Sequence, residues 1–189
     1  MKTDIILAGV GGQGILSIAT ILSAAALSEG LHVKQAEVHG MSQRGGDVQS
    51  NLRISSAPIA SDLIPLGGAD MIVSLEPMEA LRYLQWLKPD GVVVTNTVPL
   101  VNIPDYPDMS TIEAELQSLP RVVAFDMEAV AKAVASARSS NMVLLGACAR
   151  FTCIEPEKIE AAIATIFGRK GQAIVDANRA AFRAGYSHA

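Results

Sequence analysis

Apolar residues occur in short runs separated by polar, glycine-bearing breaks, and the period of the runs changes along the chain. Asp4-Ile5-Ile6-Leu7-Ala8 is a continuous apolar run of strand length, and Ile15 to Ser28 is one of helix length. Val33 to Val38 reads as a second strand, closed by His39-Gly40. From Val48 to Ile54 the pattern alternates at period two, which predicts a strand with one exposed face, antiparallel and at a sheet edge. Met71 to Leu75 is a short buried strand. A helix from Glu76 to Leu87 follows, with Pro77 near its first position and Met78, Leu81 and Leu84 on one face. Lys88-Pro89-Asp90-Gly91 reads as a turn before a strand at Val92 to Thr95.

The second half becomes helical. Ser110-Thr111-Ile112-Glu113 has the spacing of a capping box and opens a short helix to Leu119, and Val122 to Phe125 is the last strand. Beyond it, Met127, Val130, Ala131 and Val134 share a face, as do Ile159, Ala162, Ile163 and Ile166. Glu155-Pro156-Glu157 starts a helix that Gly168 stops, and a last helix spans about Gly171 to Ala184. The alternation predicts one α/β domain over residues 1–189: a Rossmann-like three-layer α/β/α fold with a mostly parallel sheet and a helical C-terminal part.

Half of the residues are hydrophobic, with few aromatics and a mean hydropathy of +0.32, which suits strands covered on both faces. Some of that excess fits a subunit interface, including one between copies of the isolated chain. The net charge is −4 and no basic stripe occurs, so nucleic acid and anionic membrane surfaces are poor partners. Two cysteines and the lack of a signal peptide point to a reducing cytoplasm. The apolar stretch from Asn141 to Phe151 is too short to span a bilayer and reads as a buried helix.

Gly9-Val10-Gly11-Gly12-Gln13-Gly14 lies between the first strand and the first helix, where glycine spacing permits a tight turn and close approach to the backbone. A helix N-terminus there suits an anion. With Glu37 near the end of the second strand as a ribose-binding acid, Gly9, Gly11 and Gly14 allow an NAD(P)- or FAD-binding reading. The equally weighted alternative is a loop that serves packing alone. Metal chemistry is poorly supported, because Cys148 and Cys153 lack the repeated thiolate spacing of an iron–sulfur site, and Cys148 reads as a small core residue. Neither Gly46-Asp47-Val48 nor Pro89-Asp90-Gly91 matches a thiamine diphosphate segment, and no Gly-x-Ser-x-Gly occurs. A second conspicuous segment, Glu37 to Gly46, gathers His39, Gln43, Arg44 and three glycines beyond a buried strand. If the first two strands are neighbours, it lies beside the glycine loop.

Three segments, Gly9 to Leu16, Glu37 to Gly46 and Glu76-Pro77-Met78-Glu79-Ala80-Leu81-Arg82, together resemble the gamma-type subunit of 2-oxoacid:ferredoxin oxidoreductases. Within that family they are most like the small (beta) subunits of the indolepyruvate:ferredoxin enzymes. The resemblance covers the first half of the chain in order, while the second half matches in length and helical character. It implies a complex that oxidatively decarboxylates a 2-oxo acid, forms an acyl-CoA and reduces ferredoxin. Thiamine diphosphate and iron–sulfur clusters are then expected on a large catalytic partner subunit, and this chain holds no cofactor tightly. It also implies aromatic 2-oxo acids such as indolepyruvate as leading substrates, with branched-chain 2-oxo acids, pyruvate and 2-oxoglutarate left open.

In that setting, Gly9, Gly11, Gly12, Gln13 and Gly14 are candidates to face the coenzyme A pyrophosphate. Arg44 would fork onto a phosphate or a partner carboxylate, and His39 and Gln43 would position that loop or touch the ligand. No catalytic residue and no metal ligand is assigned, and the isolated chain is expected to be inactive. A helix terminus supplies about 0.3–1 kcal/mol, ~2 when partly buried. Micromolar binding requires about 8 kcal/mol, so other contacts must supply most of the affinity. In the competing account both loops are the docking surface for the large subunit, which is compatible with ligand contact.

Overall fold

The structure is a computed structural model that describes residues 1–39 and 45–189, with His39 described by its backbone alone. Strand β1 (Lys2–Val10) leads through the glycine loop into helix α1 (Ile15–Ser28), followed by β2 (His32–His39), β3 (Asp47–Ser55) and β4 (Ala69–Ser74). After α2 (Pro77–Arg82) come β5 (Leu87–Asn96), α3 (Met109–Ser118) and β6 (Val122–Phe125). Four helices complete the described chain: α4 (Met127–Val134), α5 (Ser140–Ala149), α6 (Pro156–Phe167) and α7 (Gln172–His188).

The six strands form one mixed sheet in the order β2-β3-β1-β4-β5-β6. β1, β4, β5 and β6 run parallel, while β3 is antiparallel to both β1 and β2. Alternation along β1 divides the core between the two faces. Ile5 and Leu7 join α1 and α4 to α7 in the larger cluster, whereas Ile6 and Ala8 join α2 and α3 in the smaller. The result is the three-layer α/β/α arrangement that the alternation predicts, with the C-terminal helices thickening one layer.

Several expectations are corrected. β3 is not an edge strand: it sits between β1 and β2, and β2 takes the edge. Of its polar positions, Ser50 and Asn51 are buried, with Asn51 Oδ1 accepting from the Ile64 amide, and the partly buried Arg53 pairs with Asp4. The helix expected from Glu76 to Leu87 ends at Arg82, because Leu87 must already pair with Ala69 at the foot of β4. Lys88 to Gly91 belongs to β5 as a bulge: β4 advances from Ala69 to Met71 while β5 advances from Leu87 to Val92. The capping box does not form. The helix begins one residue before Ser110, with the Asp108 carbonyl accepting from the Thr111 and Ile112 amides. In α4, Met127 and Ala131 are buried but Val134 is exposed. The last helix runs a turn further than its pattern, because Phe182 and Gly185 pack on α5.

Candidate functional site

The chain leaves β1 toward one side of the sheet and leaves β4 toward the other, so a crevice opens beyond the carboxyl ends of these neighbouring strands. Open α/β sheets bind ligands at such a switch point. Here the crevice is a cleft of about 480 Å³ lined by Gly12, Gln13, Gly14, Leu75, Asn96, Leu100, Glu128, Arg138, Ser140 and Asn141. Two helix N-termini converge on it, that of α1 behind Gly14 and that of α5 at Ser140, and both carry partial positive charge.

The glycine loop is shaped by its own hydrogen bonds. Gly14 caps α1 in the left-handed region (φ 81°), and Gly12 also has positive φ (106°), conformations that an L side chain rarely adopts. Gln13 ties the loop down: its Oε1 accepts from the Val10 amide (2.8 Å) and its Nε2 donates to the Leu75 carbonyl (3.2 Å). Gly9 admits that side chain, since a Cβ at residue 9 would lie 3.0 Å from Gln13 Oε1. The amides of Gly11 and Gln13 are occupied by the carbonyls of Gly46 (2.9 Å) and Val10 (3.1 Å). Those of Gly12 and Gly14 make no hydrogen bond among the described residues.

The opposite wall is polar. Arg138 is exposed at the cleft and makes no ion pair or hydrogen bond among the described residues. Asn141 Nδ2 reaches the Gly14 carbonyl (3.4 Å). Asn96 is committed to the frame, accepting from the Met127 amide (3.0 Å) and donating to the Val98 carbonyl (3.3 Å). Glu128 faces the cleft as its acid, 3.5 Å from Lys132.

Among the residues singled out in the sequence, Gly9, Gly11, Gly12, Gln13 and Gly14 fall together at this edge. Gln43, Arg44 and the side chain of His39 lie outside the described residues. β1 and β2 are not neighbours, yet the second segment still reaches the glycine loop. The Gly45 amide donates to the Gly11 carbonyl (3.3 Å), and β3 carries the chain away from there. Glu37 sits exposed on the edge strand, hydrogen-bonded to Gln35 (2.6 Å), with all of β3 between it and β1. That separation removes the geometry by which a Rossmann acid reaches a ribose beside the glycine loop.

Arg138, Ser140 and Asn141 were missed in the sequence. Arg138 lies in the short turn before α5 and Ser140 and Asn141 open that helix, a polar stretch with no motif of its own, and only packing brings them to Gly14. Behind the site, Glu79 is buried and receives two bonds from Arg82 (2.7 and 3.0 Å), while burial pushes its carboxyl above the usual range. Burial and a hydrogen bond to Asp47 raise the Tyr83 phenol in the same way. Among the described residues no group of three or more His, Cys, Asp or Glu is placed to hold a metal. Cys148 is fully buried, its thiol pushed up to about 12 by burial, which does not suit a cluster ligand.

The sequence pattern of the pyruvate ferredoxin/flavodoxin oxidoreductase family matches residues 4–188. The chain belongs to this family. The indolepyruvate oxidoreductase subunit IorB of Archaeoglobus fulgidus is 36% identical over 198 residues, covering 100% of this chain and 96% of that one. The gamma subunit of a keto/oxoacid ferredoxin oxidoreductase from Geobacter sulfurreducens superposes with a TM-score of 0.72 at 26% identity, over 98% of this chain and 97% of that one. The 2-oxoglutarate:ferredoxin oxidoreductase of Magnetococcus marinus, solved with 2-oxoglutarate, coenzyme A and succinyl-CoA, superposes with a TM-score of 0.77 at 26% identity. The match covers 99% of this chain but only 31% of the Magnetococcus one, so the fold of a separate family subunit is there part of a longer polypeptide. Family relatives of this chain are thus subunits of 2-oxoacid:ferredoxin oxidoreductases, which places it among the oxidoreductases.

Proposed function

We propose that the chain, as one gamma-type domain, is the non-catalytic small subunit of a cytoplasmic 2-oxoacid:ferredoxin oxidoreductase that favours indolepyruvate and related arylpyruvates. We further propose that its cleft takes the anionic part of coenzyme A. The observation that carries the first part is the end-to-end likeness to a subunit named for indolepyruvate. For the second it is the convergence of Gly12, Gly14, the two helix N-termini and Arg138 on one cleft at the switch point.

The complex would oxidise and decarboxylate the 2-oxo acid, transfer the acyl group to coenzyme A and pass two electrons to ferredoxin. Thiamine diphosphate, which supplies the decarboxylation chemistry, and the iron–sulfur clusters belong on the large partner subunit. This chain's part is to bind and orient. The open amides of Gly12 and Gly14 and the guanidinium of Arg138 supply donors for phosphate oxygens, the guanidinium as a fork. Two helix ends contribute at most ~2 kcal/mol each against the ~8 of micromolar binding, so a partner surface must close over the ligand. The exposed apolar side chains of Leu100, Val101 and Ile103 at the same edge offer that partner a surface to cover. Docking and ligand contact then share one edge.

The test is anaerobic co-purification with the tagged chain, followed by CoA-dependent viologen reduction with indolepyruvate, phenylpyruvate, pyruvate and 2-oxoglutarate. A large thiamine- and iron–sulfur-bearing chain that turns over arylpyruvates fastest is the expected result. A chain that purifies alone, while a control complex survives the same procedure, contradicts it.

A further inference from the structure

Glu76 touches neither the cleft nor solvent, yet its carboxylate is fully buried with no cation beside it among the described residues. Its donors come from two places. Oε2 accepts from the Glu79 amide (2.8 Å) and so caps α2. Oε1 accepts from the Tyr106 hydroxyl and the Leu100 amide (3.4 Å), both in the irregular segment 97–108 between β5 and α3. A segment of that length without secondary structure needs anchors of its own, and these two bonds to a fully buried carboxyl supply them.

The segment carries the connection onward. Asn102 Nδ2 donates to the Gly45 carbonyl (2.6 Å), the Gly45 amide donates to the Gly11 carbonyl (3.3 Å), and the Gly11 amide donates to the Gly46 carbonyl (2.9 Å). One residue further, Asp47 is held by the Tyr83 hydroxyl at the end of α2 (2.7 Å). Both sides of the Gly45–Gly46 corner are therefore fastened to α2. That corner occupies the Gly11 amide and so sets where the Gly12 and Gly14 amides point.

We infer that Glu76 is a positioning residue for the glycine cleft: it holds residues 97–106 so that Asn102 seats Gly45–Gly46 against Gly11. This gives the Glu76-Pro77-Met78-Glu79 motif a functional role that contact with the ligand would not reveal, and it rests on the reading that the cleft takes coenzyme A.

The experiment uses the assembled complex with Asn102→Ala, Tyr106→Phe and the two combined. Asn102 is exposed, and Tyr106→Phe keeps the half-buried ring that packs on the smaller core cluster, so these variants fold where Glu76→Gln risks not doing so. Each single change is expected to raise KM for coenzyme A roughly fivefold, the pair no further than one alone, with kcat and KM for the 2-oxo acid within about twofold. In the full isolated chain, Asn102→Ala is expected to speed hydrogen exchange at the Gly11 and Gly45 amides by about tenfold and leave the β1 interior unchanged. Unchanged exchange, or KM values that shift equally for both substrates, would overturn the inference. A wild-type complex that shows no saturation with coenzyme A would overturn the cleft reading beneath it. Sensitivity of that KM to Arg138→Ala but not to Asn102→Ala would overturn the role of Glu76 alone.

Discussion

The two ends of the sheet are built on opposite principles. At the amino ends of β1 and β4, charges are answered within the chain. Arg53 forks onto Asp4 (2.9 and 3.0 Å), Lys2 reaches the same carboxylate (2.7 Å), and Asp70 takes Lys88 and the Asp4 amide. At the carboxyl ends, the Gly12 and Gly14 amides and Arg138 make no such bonds among the described residues, and Leu100, Val101 and Ile103 face solvent. One sheet thus has a closed end that stabilises and an open end with unspent donors and exposed apolar side chains, the end proposed above to take a ligand and a partner chain. The comparison can be broken from either side.

The largest effects belong to the closed end and the seam that supports the cleft. Asp4→Asn leaves Arg53 largely buried without its counter-charge and is expected to cost about 3 kcal/mol at pH 7, measured by urea unfolding. Burial pushes the Asp4 carboxyl up, but the bonds from Arg53 and Lys2 outweigh it and hold the group below its ordinary value. Its folded pKa is therefore depressed. The stabilisation is complete above the unfolded value, about 3.9, and is lost as pH falls through the folded one. The wild type should weaken below about pH 4 more steeply than Asp4→Asn.

Gly146→Ala comes next. A Cβ there would lie 1.9 Å from the Phe182 carbonyl oxygen, as one at Gly185 would from that of Val143, so α5 and α7 must part. A loss of about 3 kcal/mol is expected in the same assay. Because α5 brings Ser140 and Asn141 to the cleft, ligand affinity should fall with it.

Gln13→Ala is intermediate. It strips the acceptor from the Val10 amide and the donor from the Leu75 carbonyl, for an expected ~2 kcal/mol by urea unfolding.

The glycine loop and α1 were legible in the sequence because their signal is local: a continuous apolar strand, turn residues, and a 14-residue apolar helix. The position of β3 was not. Its polar residues at 49, 50, 51 and 53 imitate a solvent-facing strand, yet Ser50 and Asn51 are buried and Arg53 spends its charge on Asp4. Period two reports polarity, and a polar side chain with an internal partner reads the same as one in water. The glycine half of the site was visible for the same local reason. The half built from Arg138 and Asn141 was invisible, because it depends on α5 lying against α1 more than a hundred residues away in the chain.

The smallest effect on stability carries the most information about function. Arg138→Ala should leave unfolding within about 0.5 kcal/mol of wild type, since the side chain is exposed and makes no bond among the described residues. In the assembled complex, with coenzyme A varied at saturating arylpyruvate, it should raise KM for coenzyme A about tenfold while KM for the 2-oxo acid stays put. An unchanged KM for coenzyme A in a stable, fully assembled complex would contradict the account and leave the open end of the sheet as a docking surface alone.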